Sequence, residues 1–187
     1  LAGIEEAEAF VSGRSGAVRG SLRISAPTSF GRMHIASHLR GFMDSYPDLV
    51  VNLVLTDDFS DIVGGGFDLA IRIGELSDSS LVARRLAPVR RVLCAAPDYL
   101  ARHGMPASLE DLAHHVCLPP HTQDTWRLEG PEGNVTYRPH GPLYTNSSEV
   151  VTEAVLSGMG IALRSTWDVG AALKSGGLMQ VLPAYEG

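Results

Sequence analysis

The sequence predicts an α/β domain built on a parallel sheet, and three stretches carry that prediction. In Gly20–Ala26, Leu22, Ile24 and Ala26 alternate with Ser21, Arg23 and Ser25, the period of two that marks a strand. Leu49–Leu55 is a nearly continuous apolar run, as in a parallel strand covered on both faces. Phe67–Ile73 reads as a third strand. Helical patterns separate the three, so the chain to residue 75 reads β-α-β-α-β. Right-handed crossovers then give a parallel sheet with helices on its faces.

Bulk properties narrow the function. The 187 residues suffice for one or two compact units with a real core, and 44% apolar with 19% charged residues is a globular composition. Fifteen basic against 21 acidic residues leave a net charge of −6. That argues against this chain gripping a polyanion by itself, because nucleic-acid affinity comes largely from Lys and Arg neutralising phosphates. Cys94 and Cys117 both lie in apolar stretches, which suits unpaired buried thiols in a reducing compartment. No run approaches the roughly 18 apolar residues of a membrane span. Leu1–Glu6 has no basic region followed by an apolar one, so nothing points to export. The chain starts without an initiator Met and reads as a fragment of a longer protein.

In order, Ile4, Ala7, Phe10 and Val11 recur at helical spacing, and Ser12–Gly16 is a flexible Gly/Ser stretch. That is either the tether of an upstream domain or a frayed terminus. The strand Gly20–Ala26 ends at Pro27, which has no amide hydrogen and biases Ala26 to an extended backbone. Thr28 and Ser29 are good helix N-caps. Hydroxyls and amides delivered to a helix N-terminus make either a small anion site or an ordinary strand–helix corner. Ile35, Leu39, Phe42 and Tyr46 then form one helical face, stopped by Pro47. After Leu49–Leu55, Thr56–Asp58 caps a short helix carrying Ile62 and Val63, which Gly64–Gly66 ends.

A second unit follows. Leu81–Ala83 and Val92–Ala96 are apolar runs split by Arg84, Arg85, Arg90 and Arg91. Pro97–His103 is a helix with Pro in its first turn and Gly104 past its end. Ser108–Asp111 resembles a capping box. Trp126–Glu129 and Val135–Arg138, joined through Gly130–Asn134, read as a β-hairpin. Asn146, Ser147 and Ser148 cap a helix carrying Val151, Val155 and Gly158 on one face. Ile161–Leu163 is a buried strand, Thr166–Lys174 the last helix and Leu178–Leu182 the closing strand.

The search for reactive groups names no reaction. His34 and His38, four apart on a helix, could reach one metal, but no Glu follows His34 as in a metalloprotease helix. His114, His115, Cys117 and His121 form a denser cluster, stiffened by Pro119 and Pro120, that is either a metal set or surface histidines. No Gly-x-Ser-x-Gly elbow occurs. Gly158–Gly160 follows a helix and lacks the rest of a dinucleotide fingerprint. Gly64–Gly66 has no Lys-Ser/Thr after it, and Asp57 with Asp58 suits a helix cap better than an acid/base pair. Arg72 stands apart. It lies near the C-terminal end of an apolar strand, where ligands of open α/β sheets bind, so it serves either a carboxylate or an ion pair with Asp68 or Asp57.

In order, Gly20–Pro27, Tyr46–Leu53, Gly66–Gly74, Ser79–Leu86, Ala96–Leu100, Gly158–Ala162 and Gly177–Leu182 resemble the effector-binding domain of LysR-type transcriptional regulators. The likeness runs from about Val18 to the end. The resemblance implies an upstream winged helix-turn-helix, absent here, and a dimerising linker helix of which residues 1–17 are the end and the linker. It implies two Rossmann-like lobes of the type 2 periplasmic-binding-protein fold joined by two crossover strands: residues 18–92 plus 166–187, and residues 93–165. It further implies an effector cleft lined by Pro27, Thr28, Ser29, Phe30 and Arg72 from the first lobe, and by Leu118, His121, Thr145, Asn146 and Ser147 from the second.

The expectation is therefore an inducer-sensing and oligomerising domain of a cytoplasmic bacterial regulator. It would hold a small, carboxylate-bearing effector by recognition alone, with no catalytic residue, cofactor or metal. It would form homodimers through this domain and tetramers in the full-length protein, and reach DNA only through the missing N-terminal domain. The alternative is a stand-alone bilobed solute-binding protein, which the lack of an export signal disfavours.

Overall fold

The computed structural model describes residues 18–57, 65–74, 81–119 and 125–187. The expected linker over residues 1–17, the short helix after Thr56 and His121 lie outside the described residues, or almost wholly so. The chain forms two compact units, Leu1–Arg72 and Ile73–Gly187.

The first unit is the predicted parallel sheet. Strand β1 (Gly20–Ala26) lies between β2 (Leu49–Leu55) and β3 (Leu69–Ala70) and is parallel to both. Gly20 pairs with Leu49, Ala26 with Leu55, and Ile24 with Leu69. The central position buries Ile24, Ser25 and Ala26. Arg23 fastens the β3 side: its N–H donates to Asp68 Oδ2 at 2.8 Å, its Nη1 to Gly65 O at 2.7 Å, and its guanidinium lies 4.8 Å from the Phe67 ring centre.

A helical run over 28–45 follows β1 in three pieces: α1 (Thr28–Phe30), a π-helical turn (Gly31–Ile35) and α2 (Ala36–Ser45). Gly31 lets the Leu55 side chain lie against the helix backbone. A Cβ there would stand 2.2 Å from Leu55 Cδ2. Two expectations change. β2 is not covered on both faces: Val50 is 66% exposed, and among the described residues β2 also forms an edge of the sheet. The face predicted for the helix is half-covered at Ile35 and Leu39 and exposed at Phe42 and Tyr46, whose rings pack on each other at 5.0 Å.

The second unit has an antiparallel sheet, with β4 (Arg91–Ala95) between β7 (Ile161–Ser165) and β8 (Met179–Gln180). The predicted hairpin is β5 (Trp126–Gly130) and β6 (Gly133–Tyr137), turning on Pro131 and Glu132. Helices α3 (Pro97–His103), α4 (Ser148–Leu156) and α5 (Thr166–Ser175) flank these strands. Tyr99, Leu112 and Trp126 pack with Leu93 and Ile161 in one core; Cys94, Leu118, Val151 and Val155 pack in another. Ser108 does not cap the 3₁₀ turn at Glu110–His114. Instead Asp111 Oδ2 accepts the N–H groups of Ala107 and Ser108, the reach-back half of a capping box.

The division of the chain departs from the expected lobes. The break falls at Arg72 and Ile73, and residues 166–187 do not return to the first unit. β8 pairs with β4, and Val169 and Leu178 share a core with Cys94, Val151 and Val155. Burial of those side chains holds the segment in the second unit, so the chain makes no crossing near Arg164–Thr166.

Candidate functional site

Two helix openings carry the residues that the sequence singles out. In the first unit, the extended backbone of Pro27 (φ −61°, ψ 143°) makes it the N-cap, one residue ahead of the expected Thr28 and Ser29. Pro27 has no side-chain acceptor, so the opening is closed from elsewhere: Asp57 Oδ1 accepts the Thr28 N–H at 2.8 Å. Asp57 thus caps this run and not the helix expected after Thr56. Ser29, pulled into the first turn, is 2% exposed, and its hydroxyl has no hydrogen-bond partner among the described residues. Such a buried hydroxyl costs free energy unless something else satisfies it. Phe30 packs its ring on His34 at 5.1 Å.

Arg72 lies just past β3. Its Nη2 donates to the fully buried Ser25 Oγ at 2.8 Å, and its Nη1 to Ile71 O at 2.9 Å. The two aspartates weighed as its partners accept backbone N–H groups instead, Asp57 from Thr28 and Asp68 from Arg23. The C-terminal end of β1 therefore carries a guanidinium braced on Ser25 and, four residues on, the unpartnered hydroxyl of Ser29.

In the second unit the opening of α4 follows the prediction. Ser147 is the N-cap, its Oγ accepting the Val150 N–H at 3.4 Å, and Thr145 Oγ1 accepts the Ser147 N–H at 3.1 Å. Asn146, between them, is exposed. Sequence reasoning missed what lies behind this turn. Arg164 Nη2 donates to Ser148 Oγ at 2.7 Å and to Ser148 O at 3.1 Å. Its Nε reaches Asp168 Oδ2 at 3.2 Å, Nη2 is paired with the same oxygen, and Thr152 Oγ1 donates to it at 2.8 Å. The Arg164 and Asp168 side chains are 7% and 6% exposed. The one available signal was an arginine ending an apolar strand with an aspartate four residues on.

The whole chain has relatives. Residues 15–186 match the family described as the LysR substrate binding domain. The chain belongs to that family. It is 42% identical over 171 residues to the HTH-type transcriptional regulator DmlR of Escherichia coli strain K12, covering 89% of this chain and 56% of that protein. The regulatory domain of AphB from Vibrio vulnificus is 30% identical, with a TM-score of 0.79 over 90% of this chain and 86% of that one. Full-length AphB of Vibrio cholerae, a virulence activator of the LTTR family, is 29% identical, with a TM-score of 0.82 over 98% of this chain and 63% of that one. The chain thus spans about half the length of the curated relatives it matches. Its fold is the mixed α/β, periplasmic-binding-protein-like type 2 fold of LysR regulatory domains.

The remaining residues expected to line a site in this LysR domain are placed unevenly. Leu118 is 1% exposed, with its N–H on Ile161 O at 2.9 Å and its side chain in the core beside Cys94 and Val155. His121 lies outside the described residues. Among those described, no three His, Cys, Asp or Glu residues are grouped to hold a metal. His115 takes another role: its Nδ1 lies 3.2 Å from the Tyr99 hydroxyl, which accepts the Val116 N–H at 2.9 Å. Burial, then the neighbouring His103, holds His115 below the ordinary histidine range. Gly158–Gly160 is a packing motif, since a Cβ on Gly160 would lie 2.4 Å from Val116 O. Among the described residues, no helix is long and apolar enough to cross a membrane.

Proposed function

We propose that this chain is the effector-sensing domain of a cytoplasmic bacterial LysR-type regulator, and that it takes a small carboxylate-bearing effector. The contacts are assigned to Pro27, Thr28, Ser29, Phe30 and Arg72 in the first unit, and to Leu118, His121, Thr145, Asn146 and Ser147 in the second. The observation that carries this proposal is the Ser29 hydroxyl, 2% exposed and without a hydrogen-bond partner among the described residues, at the N-terminal end of a helical run. A helix N-terminus favours negative charge, and Arg72, from the same end of the sheet, complements a carboxylate. The effector is recognised without any bond being made or broken. It acts by binding one arrangement of the domain more tightly than another.

DNA contact is assigned to a helix-turn-helix outside this chain, consistent with the net charge of −6. Homodimers form through this domain, and tetramers in the whole protein. The test is calorimetry with acetate, lactate, succinate and benzoate on wild type, Ser29→Ala and Asn146→Ala. At least one acid is expected to bind, and both variants to weaken it about tenfold. Binding unchanged in both variants, or no binding of any acid, would overturn the assignment.

A further inference from the structure

The ion pair of Arg164 and Asp168 sits where stability alone does not call for one. Both side chains are more than nine-tenths buried, and removing two charges from water costs about what their attraction returns. Well-packed apolar residues of similar volume do as well or better in such places. What apolar residues cannot do is reach the groups this pair holds.

Arg164 is the last residue but one of β7, and its Nη2 grips both the carbonyl and the hydroxyl of Ser148, the first residue of α4. Asp168 stands in the first turn of α5, and its Oδ2 takes Arg164 Nε and the hydroxyl of Thr152, one turn further along α4. Thr152 Oγ1 also lies 3.2 Å from Ser148 O, closing the loop of contacts. Three elements therefore converge on one buried pair, and the residue gripped is adjacent to the Ser147 cap. Thr145 Oγ1 accepts the Ser147 N–H and Ser147 Oγ the Val150 N–H, which ties the turn carrying the exposed Asn146 to the same helix opening.

We infer that Arg164 and Asp168 are positioning residues that fix the 145–147 turn in the geometry that meets the effector. This rests on the assignment of that turn to effector contact. Neither residue touches the effector; each acts through Ser148 and Thr152. The pair trades stability for a fixed orientation of Asn146 and Ser147.

The test separates orientation from stability. Arg164→Lys keeps a charge for Asp168 but lacks the fork that also spans to Ser148. The double variant Arg164→Met/Asp168→Leu replaces the pair by apolar volume. Amide hydrogen exchange and urea unfolding are followed on wild type and both variants, with no ligand present. In at least one folded variant, protection of the β4 and β7 amides stays at the wild-type level while amides of Ser148–Val151 exchange about tenfold faster or more. Wild-type protection at Ser148–Val151 in every folded variant overturns the inference.

The same proteins are titrated with acetate, lactate, succinate and benzoate. An acid bound by wild type is expected to bind the variants about tenfold more weakly. Equal affinity despite faster exchange overturns the link to the effector. Failure of wild type to bind any of the four acids overturns the effector assignment, while the exchange data still decide whether the pair orients the turn.

Discussion

The carboxylate of Asp57 sits on the backbone N–H of Thr28, its Oδ1 2.8 Å from the nitrogen. The two residues are 29 apart in sequence and come together because β1 and β2 run parallel in register, with Ala26 opposite Leu55. An internal anion thus occupies one donor of the helix opening that was expected to offer several. An incoming carboxylate meets a site with one amide already satisfied and a negative charge beside it. This shifts weight to the hydroxyl of Ser29 and to Arg72.

Removing that cap has a defined cost. Asp57→Ala leaves the Thr28 N–H without its acceptor and is expected to destabilise the protein by about 1 kcal/mol, the typical worth of an N-cap. Asp57→Asn keeps an acceptor oxygen and is expected to recover most of the loss. Urea unfolding of both variants decides. Equal destabilisation by Ala and Asn would mean that the acceptor oxygen is not what matters.

Local patterns were legible and distant partners were not. β1 and β2 show in the sequence because alternation and apolar runs are local records of burial. The hairpin shows because Gly130 and Gly133 frame a tight turn. The cap falls at Pro27 and not at Thr28 because its acceptor, Asp57, comes from the turn after β2, 29 residues away from Thr28. The return of residues 166–187 to the first lobe was expected from a resemblance, yet Leu178 and Val169 bury themselves beside Cys94. Arg164 and Asp168 had visible i,i+4 spacing, but nothing local distinguishes a buried pair from an exposed one such as Arg40 and Asp44.

Two glycines make opposite predictions. Gly160→Ala places a methyl 2.4 Å from the Val116 carbonyl oxygen, a backbone atom that cannot swing aside. Overpacking of this kind costs about 1–3 kcal/mol. Gly170, inside α5, has no atom within 4 Å of a would-be Cβ, so Gly170→Ala is expected to stabilise by about 0.5–1 kcal/mol through helix propensity. Urea midpoints read both. A stable Gly160→Ala protein would mean that the β7 entry is loosely packed.

The thiols are expected to be inert. Cys94 and Cys117 are each 0% exposed and unpaired, and burial pushes them up to about 12 and about 11. Thiolate is the reactive form, so at neutral pH neither should react with an aromatic disulfide reagent while the protein is folded. Both should react in denaturant. Stoichiometric labelling of the native protein would contradict their placement.

The imidazole of His115 makes stability depend on pH. The Tyr99 hydroxyl accepts the Val116 N–H and lies 3.2 Å from His115 Nδ1; with the ring in its Nε2–H tautomer the hydroxyl donates its proton there, an arrangement open to the neutral ring alone. Burial and the nearby His103, whose ring stacks on Tyr99 at 4.5 Å, lower the His115 pKa; His114 adds to this and Asp111 opposes it. The proton is therefore held less tightly in the fold than in the unfolded chain, where histidine titrates near 6.5. Above that pH neither state carries the charge, and the full stability is present. As pH falls below it, the unfolded chain takes up the proton first, and stability drops until the folded ring is protonated as well. Unfolding free energy measured at about pH 7.5 and about pH 5 should fall in wild type and fall less in His115→Gln, whose amide still accepts from Tyr99. Asp111 and Glu186, both held below their ordinary values by hydrogen bonds, lose their contributions only at more acidic pH and do not confuse this window. An equal loss in both proteins would show that His115 does not carry the dependence.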